Sequence, residues 1–199
     1  EITETRLRNR LQPFVWDANG QINARVIEGI ADDVRQSCGL HDSGPENIAS
    51  VLEGLGVRCL FFNFNSPGLD GISAIQGEMM LTMLTNRQTS IERIIFSGAH
   101  ELGHLVLHPQ LFTANEDDVD ESRDYEKEAD LCAGCFLVTS NELTRIWRED
   151  RLHRLPLFDA LLLLKRVFHV SFSCLLHRVT ELGLATKTYP LFVNEVKMR

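Results

Sequence analysis

The sequence predicts an α+β fold, in which a small, mostly antiparallel three-stranded sheet packs on a helical body. Short β-branched and aromatic runs between Gly- and Pro-containing turns indicate three strands that follow one another closely, which is typical of antiparallel pairing. The longer segments on either side have apolar residues at helical spacing. The three predicted strands are residues 57–64, 72–75 and 79–84.

Seven helices are predicted around this sheet. In the first, apolar residues recur every four positions from Ile22 to Val34, as on one face of an amphipathic helix. Pro109 is expected to end the third, because proline cannot continue the backbone hydrogen bonding. The tail, residues 187–196, is expected to be extended. The predicted helices are residues 22–37, 45–52, 90–108, 125–138, 142–149, 157–168 and 173–182.

The length and composition indicate a single domain over residues 1–199. A chain of 199 residues with 44% hydrophobic residues can bury a core of its own. Within this domain we expect a core over residues 22–156 and a helical pair over residues 157–185 that packs on it. No segment approaches the roughly 20 apolar residues that a membrane-spanning helix needs, so no membrane partner is expected.

Charge and cysteine content indicate the environment of the protein. The formal net charge of −8 argues against direct nucleic-acid binding, which needs clustered Lys and Arg. The first ten residues are charged and lack the apolar centre of a signal peptide. Five cysteines, an odd number, then indicate reduced thiols and a cytoplasmic location.

Two histidines are spaced so that they can share a metal ion. His100 and His104 lie four residues apart on a predicted helix, a rotation of about 400°, so both imidazoles project from one face. Two neutral imidazoles one turn apart can bind one tetrahedral zinc ion. Glu101 follows the first histidine directly and is expected to face water at the metal rather than the metal itself. This position suits a general base.

Zinc catalysis needs a third protein ligand, which is expected on the next helix. Glu126 and Asp130 are four residues apart and share one helix face. We predict Glu126 as the third zinc ligand and Asp130 as the acceptor of a free histidine ring N–H, which fixes the ring orientation. Glu128 lies about 200° round the helix from Glu126 and suits this role less well. The predicted zinc site therefore lies between two helices.

These motifs resemble the ImmA/IrrE metallopeptidases, zinc peptidases of bacteria and phages that are related in layout to the gluzincins. The resemblance spans roughly residues 25–183 and rests on His100-Glu-Leu-Gly-His-Leu-Val-Leu-His108 followed by Glu126-Lys-Glu-Ala-Asp130. It implies an intracellular endopeptidase that cleaves a helix-turn-helix repressor or antitoxin and so relieves repression, for example in a stress response. It also implies that His100, His104 and Glu126 bind Zn²⁺ and that Glu101 is catalytic.

One segment departs from the family pattern. Many members follow the second motif with a Phe-Ala-Ala run that ends in Met-Pro, whereas here the run is Leu131-Cys-Ala-Gly-Cys-Phe-Leu-Val-Thr139. Cys132 and Cys135 within it are interpreted as small buried helix residues, with a redox-sensitive thiol as the alternative. The acidic segment 115–124 is interpreted as a solvated loop, with a lid or a docking site for a basic partner as the alternative.

Three questions stay open on sequence alone. His108 is interpreted as a residue at a helix C-terminus, where the helix dipole favours it, rather than as a ligand. The group that stabilises the oxyanion could be Tyr125, His153 or Tyr189, and none of the three is preferred. The alternative to an endopeptidase is a non-proteolytic zinc-containing module that sequesters or senses a transcriptional regulator.

Overall fold

The computed structural model describes residues 10–16, 22–40, 44–66, 68–85, 89–112 and 119–198 of the chain. Three strands and eight α-helices form within these residues. The strands are β1 (Val57–Phe62), β2 (Gly71–Gln76) and β3 (Met79–Thr85). The helices are α1 (Ala24–Ser37), α2 (Ile48–Gly54), α3 (Ile91–Leu107), α4 (Tyr125–Leu137), α5 (Ser140–Glu149), α6 (Leu157–Phe168), α7 (Phe172–Glu181) and α8 (Thr188–Lys197).

The predicted α+β class is confirmed, and the three-stranded sheet is mixed rather than mostly antiparallel. β2 and β3 form an antiparallel hairpin, with Ile72 opposite Met83. β1 pairs in parallel with the other edge of β3, with Val57 opposite Met80. The strand order is β1-β3-β2. The last strand, β3, therefore lies between the first two. The hairpin follows from the short turn at Gly77, where φ is +60°, whereas the parallel pair has no such local signal.

Side-chain caps define where most of the helices begin. Asn23 accepts hydrogen bonds from two backbone N–H groups at the start of α1, and Ser90 and Asp124 accept from Arg93 and Lys127 at the starts of α3 and α4. Such caps satisfy backbone donors that have no partner within the helix. The two helices that carry the candidate site therefore both start at a capping residue.

The C-terminal tail differs from the expectation of an extended segment, because residues 188–197 form α8. Glu195 on this helix accepts hydrogen bonds from the backbone N–H groups of Leu157 (3.1 Å) and Phe158 (2.7 Å). These groups open α6, which has Pro156 before it and no side-chain cap of its own. α8 thus caps α6 through a contact between residues 37 or 38 positions apart.

The centre of the molecule is the packing of α4 against α3 and α1. A Cβ atom added at Gly103 of α3 would lie 3.1 Å from the Ala129 Cα on α4, so glycine permits the close approach of the two helices. Two buried arginines bind backbone carbonyls at the end of α4. Arg35 donates to the Phe136 carbonyl and Arg178 to the Val138 carbonyl. These contacts join the end of α4 to α1 and α7.

The helical pair α6 and α7 lies beside this centre, and its apolar residues belong to the same core. Among the described residues, no single helix has the length and apolar content to span a membrane. α6 and α7 meet those criteria only when taken together, and they are bent by 106° at the break between them.

Candidate metal centre

His100, His104 and Glu126 come together between α3 and α4. The two histidine Nε2 atoms are 3.0 Å apart. The Glu126 Oε2 lies 3.4 Å from the His100 Nε2, and the Glu126 Oε1 lies 3.4 Å from the His104 Nε2. One ligand atom from each residue can be chosen so that all three lie within 4.8 Å of one another. The three predicted ligands therefore share one site.

The donor set of this site fits Zn²⁺. Two imidazole nitrogens and one carboxylate form a three-ligand set found in catalytic zinc sites, which leave a fourth position open. Asp130 supports the arrangement, because its Oδ1 lies 2.8 Å from the His100 Nδ1. A carboxylate there accepts the Nδ1–H, so the lone pair of the His100 Nε2 faces Glu126. Asp130 thus occupies the position that the sequence predicts for it.

The charges around His100 and His104 shift their pKa values in opposite directions. Burial lowers the pKa of His100, but the hydrogen bond to Asp130 and the charge of that carboxylate outweigh burial, so the net shift is upward. Burial and the nearby His100 lower the pKa of His104. Metal binding requires a neutral imidazole ring. The negative charges around His100 favour both a proton and a metal cation, so the two compete for this ring.

Sequence reasoning missed the part that His108 and Glu128 take in this site. His108 is fully buried, its Nδ1 lies 3.0 Å from the His104 Nδ1, and its Nε2 lies 2.9 Å from the Glu128 Oε2. Arg123 in turn donates two hydrogen bonds to Glu128. Burial lowers the pKa of His108 to about 4, against the opposing effect of Glu128. The third histidine at four-residue spacing is the sequence signal for this contact.

Glu101 is buried beside the candidate ligands, with 7% of its surface exposed. Its Oε2 accepts a hydrogen bond of 2.6 Å from the hydroxyl of Ser73 on β2. The hydroxyl of Thr82, on β3, lies 3.1 Å from that of Ser73. Burial raises the pKa of Glu101, while the Ser73 hydrogen bond opposes this rise. A carboxyl group with a raised pKa that is held by one donor suits proton transfer. Like the roles of His108 and Glu128, that of Ser73 was not identified from the sequence.

A cavity of about 460 Å³ opens onto these groups. Its lining comes from α3, from β2 and the residues before it, from the segment after α3, and from Glu126 of α4, and it includes both polar and apolar side chains. None of Tyr125, His153 and Tyr189 is among the lining residues that the structure describes. The lining residues are Gly68, Leu69, Asp70, Gly71, Ile72, Ser73, Phe96, Ser97, His100, Glu101, His104, Leu111, Phe112 and Glu126.

Among the described residues, neither Cys132 and Cys135 nor residues 119–124 line the cavity. Cys132 and Cys135 are buried in α4, and burial raises the pKa of Cys135 to about 12, which disfavours its thiolate form. Of the acidic segment, residues 115–118 lie outside the described residues. Asp124 at its end caps α4. Tyr125 accepts a hydrogen bond from the Asp120 backbone N–H and packs edge-on against His108.

The α+β fold and the His-Glu-x-x-His helix with an acidic residue on the following helix define a peptidase class. Within that class, residues 52–180 match the model of the IrrE N-terminal-like domain, peptidase family M78. This match covers more than half of the chain, so the chain belongs to the M78 family of IrrE N-terminal-like domains. The resemblance that the two motifs indicate is therefore confirmed at the level of the family.

Comparison with curated proteins gives no significant match. Among solved structures, the fold is similar to that of a Mycobacterium tuberculosis transcriptional regulator, with a TM-score of 0.56 and 19% sequence identity. The similarity covers 87% of this chain and 52% of the regulator, so the chain spans about half the length of that protein. At this identity the similarity supports the fold alone.

Proposed function

We propose that the chain is a zinc-dependent endopeptidase that cleaves a helix-turn-helix repressor or antitoxin and so relieves repression. One observation carries the enzymatic part. A buried carboxylate, Glu101, lies on the wall of an open cavity beside a cluster of two histidines and one glutamate, and Ser73 holds it there. His100, His104 and Glu126 are the proposed zinc ligands, and residues 22–156 are the proposed catalytic core, on which residues 157–185 pack.

The residues of the site divide the chemistry between them. A zinc ion held by His100, His104 and Glu126 would supply a Lewis acid and would lower the pKa of a bound water molecule to about 7. Glu101 accepts the proton of the attacking water and passes it to the leaving amine. Ser73 orients the Glu101 carboxylate, and Asp130 fixes His100.

The proposed substrate is a protein segment bound along the cavity. Apolar side chains from three elements line it, namely Ile72, Phe96 and Phe112, so it can hold apolar residues next to the cleaved bond. A repressor as the target follows from the family resemblance, and a transcriptional regulator among similar folds is compatible with it. The net charge of −8 favours a basic partner. We further propose a cytoplasmic location, since all five cysteines are free thiols.

The test uses the zinc-loaded chain and a purified helix-turn-helix regulator, chosen from the proteins encoded by genes adjacent to its own. Incubation is expected to shorten the regulator on a denaturing gel. Glu101→Gln is expected to keep zinc and bind the regulator but to slow cleavage by about 10²- to 10⁴-fold. The control is Glu142→Gln, which changes a buried carboxylate that pairs with Arg145 outside the cavity and is expected to cleave normally.

Full cleavage by the Glu101→Gln chain contradicts the role of Glu101. A regulator that binds to the wild-type chain and stays intact contradicts the endopeptidase and favours the non-proteolytic binding module instead. Comparison of the two chains therefore separates the two functions.

A further inference from the structure

We propose that His108 and Glu128 are positioning residues that fix which ring nitrogen of His104 can bind a metal ion. The inference rests on the proposed zinc site. It goes beyond that site, because neither residue belongs to the candidate ligand set of His100, His104 and Glu126. Four side chains take part in this positioning, in the order Arg123, Glu128, His108 and His104.

The four side chains form a continuous chain of hydrogen bonds. Arg123 lies 2.5 Å (Nη2) and 3.2 Å (Nε) from the two oxygens of Glu128. The Glu128 Oε2 lies 2.9 Å from the His108 Nε2, and the His108 Nδ1 lies 3.0 Å from the His104 Nδ1. The His108 side chain has no exposed surface. The exposed fraction of the side chain is 17% for Arg123 and 17% for Glu128. Water therefore competes little for these bonds.

Donor and acceptor chemistry assigns a direction to this chain. A guanidinium has only N–H donors, so the Glu128 carboxylate accepts from Arg123 and has only acceptor capacity left for His108. The His108 Nε2 must then carry the proton. In a neutral ring the other nitrogen, Nδ1, is an acceptor, so the His104 Nδ1 donates to it. The lone pair of the His104 Nε2 is left facing the candidate metal position.

The consequence is that each histidine ligand has its own carboxylate. Asp130 accepts directly from the His100 Nδ1 at 2.8 Å, and Glu128 acts on His104 through His108. With the opposite tautomer, the His104 Nε2–H would point into the site and block metal binding. Residues that orient a ligand in this way typically contribute 10- to 100-fold to metal affinity.

The tautomers can be read directly from long-range ¹H–¹⁵N spectra of the metal-free full chain labelled at histidine. The expected result is a proton on the Nδ1 of His104 and on the Nε2 of His108. A proton on the Nε2 of His104, or on the Nδ1 of His108, overturns the inference. This measurement uses the wild-type chain and so does not depend on whether a variant folds.

Zinc affinity tests the consequence, by competition with a chelator of known affinity. His108→Leu removes the acceptor and is expected to weaken zinc binding about 10- to 100-fold. His108→Asn places an amide oxygen near the position of Nδ1 and is expected to restore most of the affinity. The control is His177→Leu, at an exposed position on α7, which is expected to bind zinc as the wild type does.

The outcomes separate this inference from the proposed function. A wild-type chain that binds no zinc overturns both. A wild-type chain that binds zinc, together with a folded His108→Leu chain of equal affinity, overturns the inference alone. Equal losses in the Leu and Asn variants also overturn it, because they indicate that only the shape of His108 is needed.

Discussion

Gly71 on β2 lies directly against the Glu101 side chain on α3. A Cβ atom at position 71 would stand 2.7 Å from the Glu101 Oε1 and 2.9 Å from its Cγ. Both distances are shorter than van der Waals contact. Because the φ angle of Gly71 is not positive, the glycine is needed here for space rather than for backbone conformation. With Glu101 in its present position, the edge strand and the proposed catalytic carboxylate therefore fit together only when position 71 is glycine.

Gly71→Ala is expected to displace the Glu101 carboxylate and to lower peptide cleavage by about 10²-fold, the cost of a displacement of about 1 Å at a reacting group. Stability should change little, because the end of a flexible side chain can move. Cleavage rate and urea unfolding measure the two effects. The control is Gly29→Ala in α1, where no heavy atom lies within 4 Å and helix stability should rise by about 0.5–1 kcal/mol. Full activity of Gly71→Ala would show that the contact has no catalytic importance.

Ser73→Ala is expected to slow cleavage about 10- to 100-fold while zinc affinity stays unchanged. The change removes a hydrogen bond to a charged group, worth about 1.5–3 kcal/mol, from Glu101 but leaves the proposed ligands in place. Single-turnover cleavage and chelator competition measure the two quantities. Ser73→Thr keeps the hydroxyl and is expected to restore the rate. If zinc affinity fell together with the rate, Ser73 would act on the metal site as a whole rather than on Glu101.

Glu126→Gln is expected to lower zinc affinity by more than the roughly 10- to 100-fold typical of indirect partners, because an amide is a poorer ligand than a carboxylate. The Glu126 side chain is 77% exposed, so the stability of the metal-free chain should not change. Chelator competition and unfolding of the metal-free chain provide the measurements. Glu121→Gln, at an exposed position before α4, is the control. Wild-type zinc affinity in the Glu126→Gln chain would remove Glu126 from the ligand set.

Arg178→Met is expected to destabilise the metal-free chain by about 1.5–3 kcal/mol. Arg178 is buried and donates to the Val138 carbonyl at 3.0 Å, and it also pairs with Glu28 and Glu181. The loss leaves that carbonyl without its charged donor. Urea unfolding measures the change. Arg166→Met removes an exposed arginine from α6 and is expected to stay within about 0.5 kcal/mol of the wild type. Equal stabilities of the two variants would contradict a structural role for Arg178.

The elements that carry the site could be predicted because their signals are local. Apolar spacing and a following proline indicate α3, and the four-residue spacing of His100 and His104 puts both on one face of it. The same spacing relates Glu126 and Asp130 on α4. That these two faces meet follows from small residues at the contact, such as Gly103 against Ala129. The binding of zinc there stays a prediction.

The features that sequence reasoning missed depend on residues far apart in the chain. The Ser73 hydroxyl reaches Glu101 only because β2 crosses α3, a separation of 28 positions. α8 is held through Glu195 at the start of α6, and the parallel pairing of β1 with β3 depends on a crossover. His108 had a local signal, the third histidine at helical spacing, but its interpretation required Glu128 from α4. Periodicity identifies elements, whereas such pairings require the fold.

The proposed function requires that one zinc ion binds between α3 and α4 and faces Glu101. Anomalous X-ray diffraction from crystals of the zinc-loaded chain, collected on both sides of the zinc absorption edge, tests it most directly. We expect one peak per chain, about 2.0–2.2 Å from the His100 Nε2, the His104 Nε2 and a Glu126 oxygen. A peak elsewhere, or one that involves His108 or Glu128 in place of Glu126, would contradict it, as would a saturated chain without any peak.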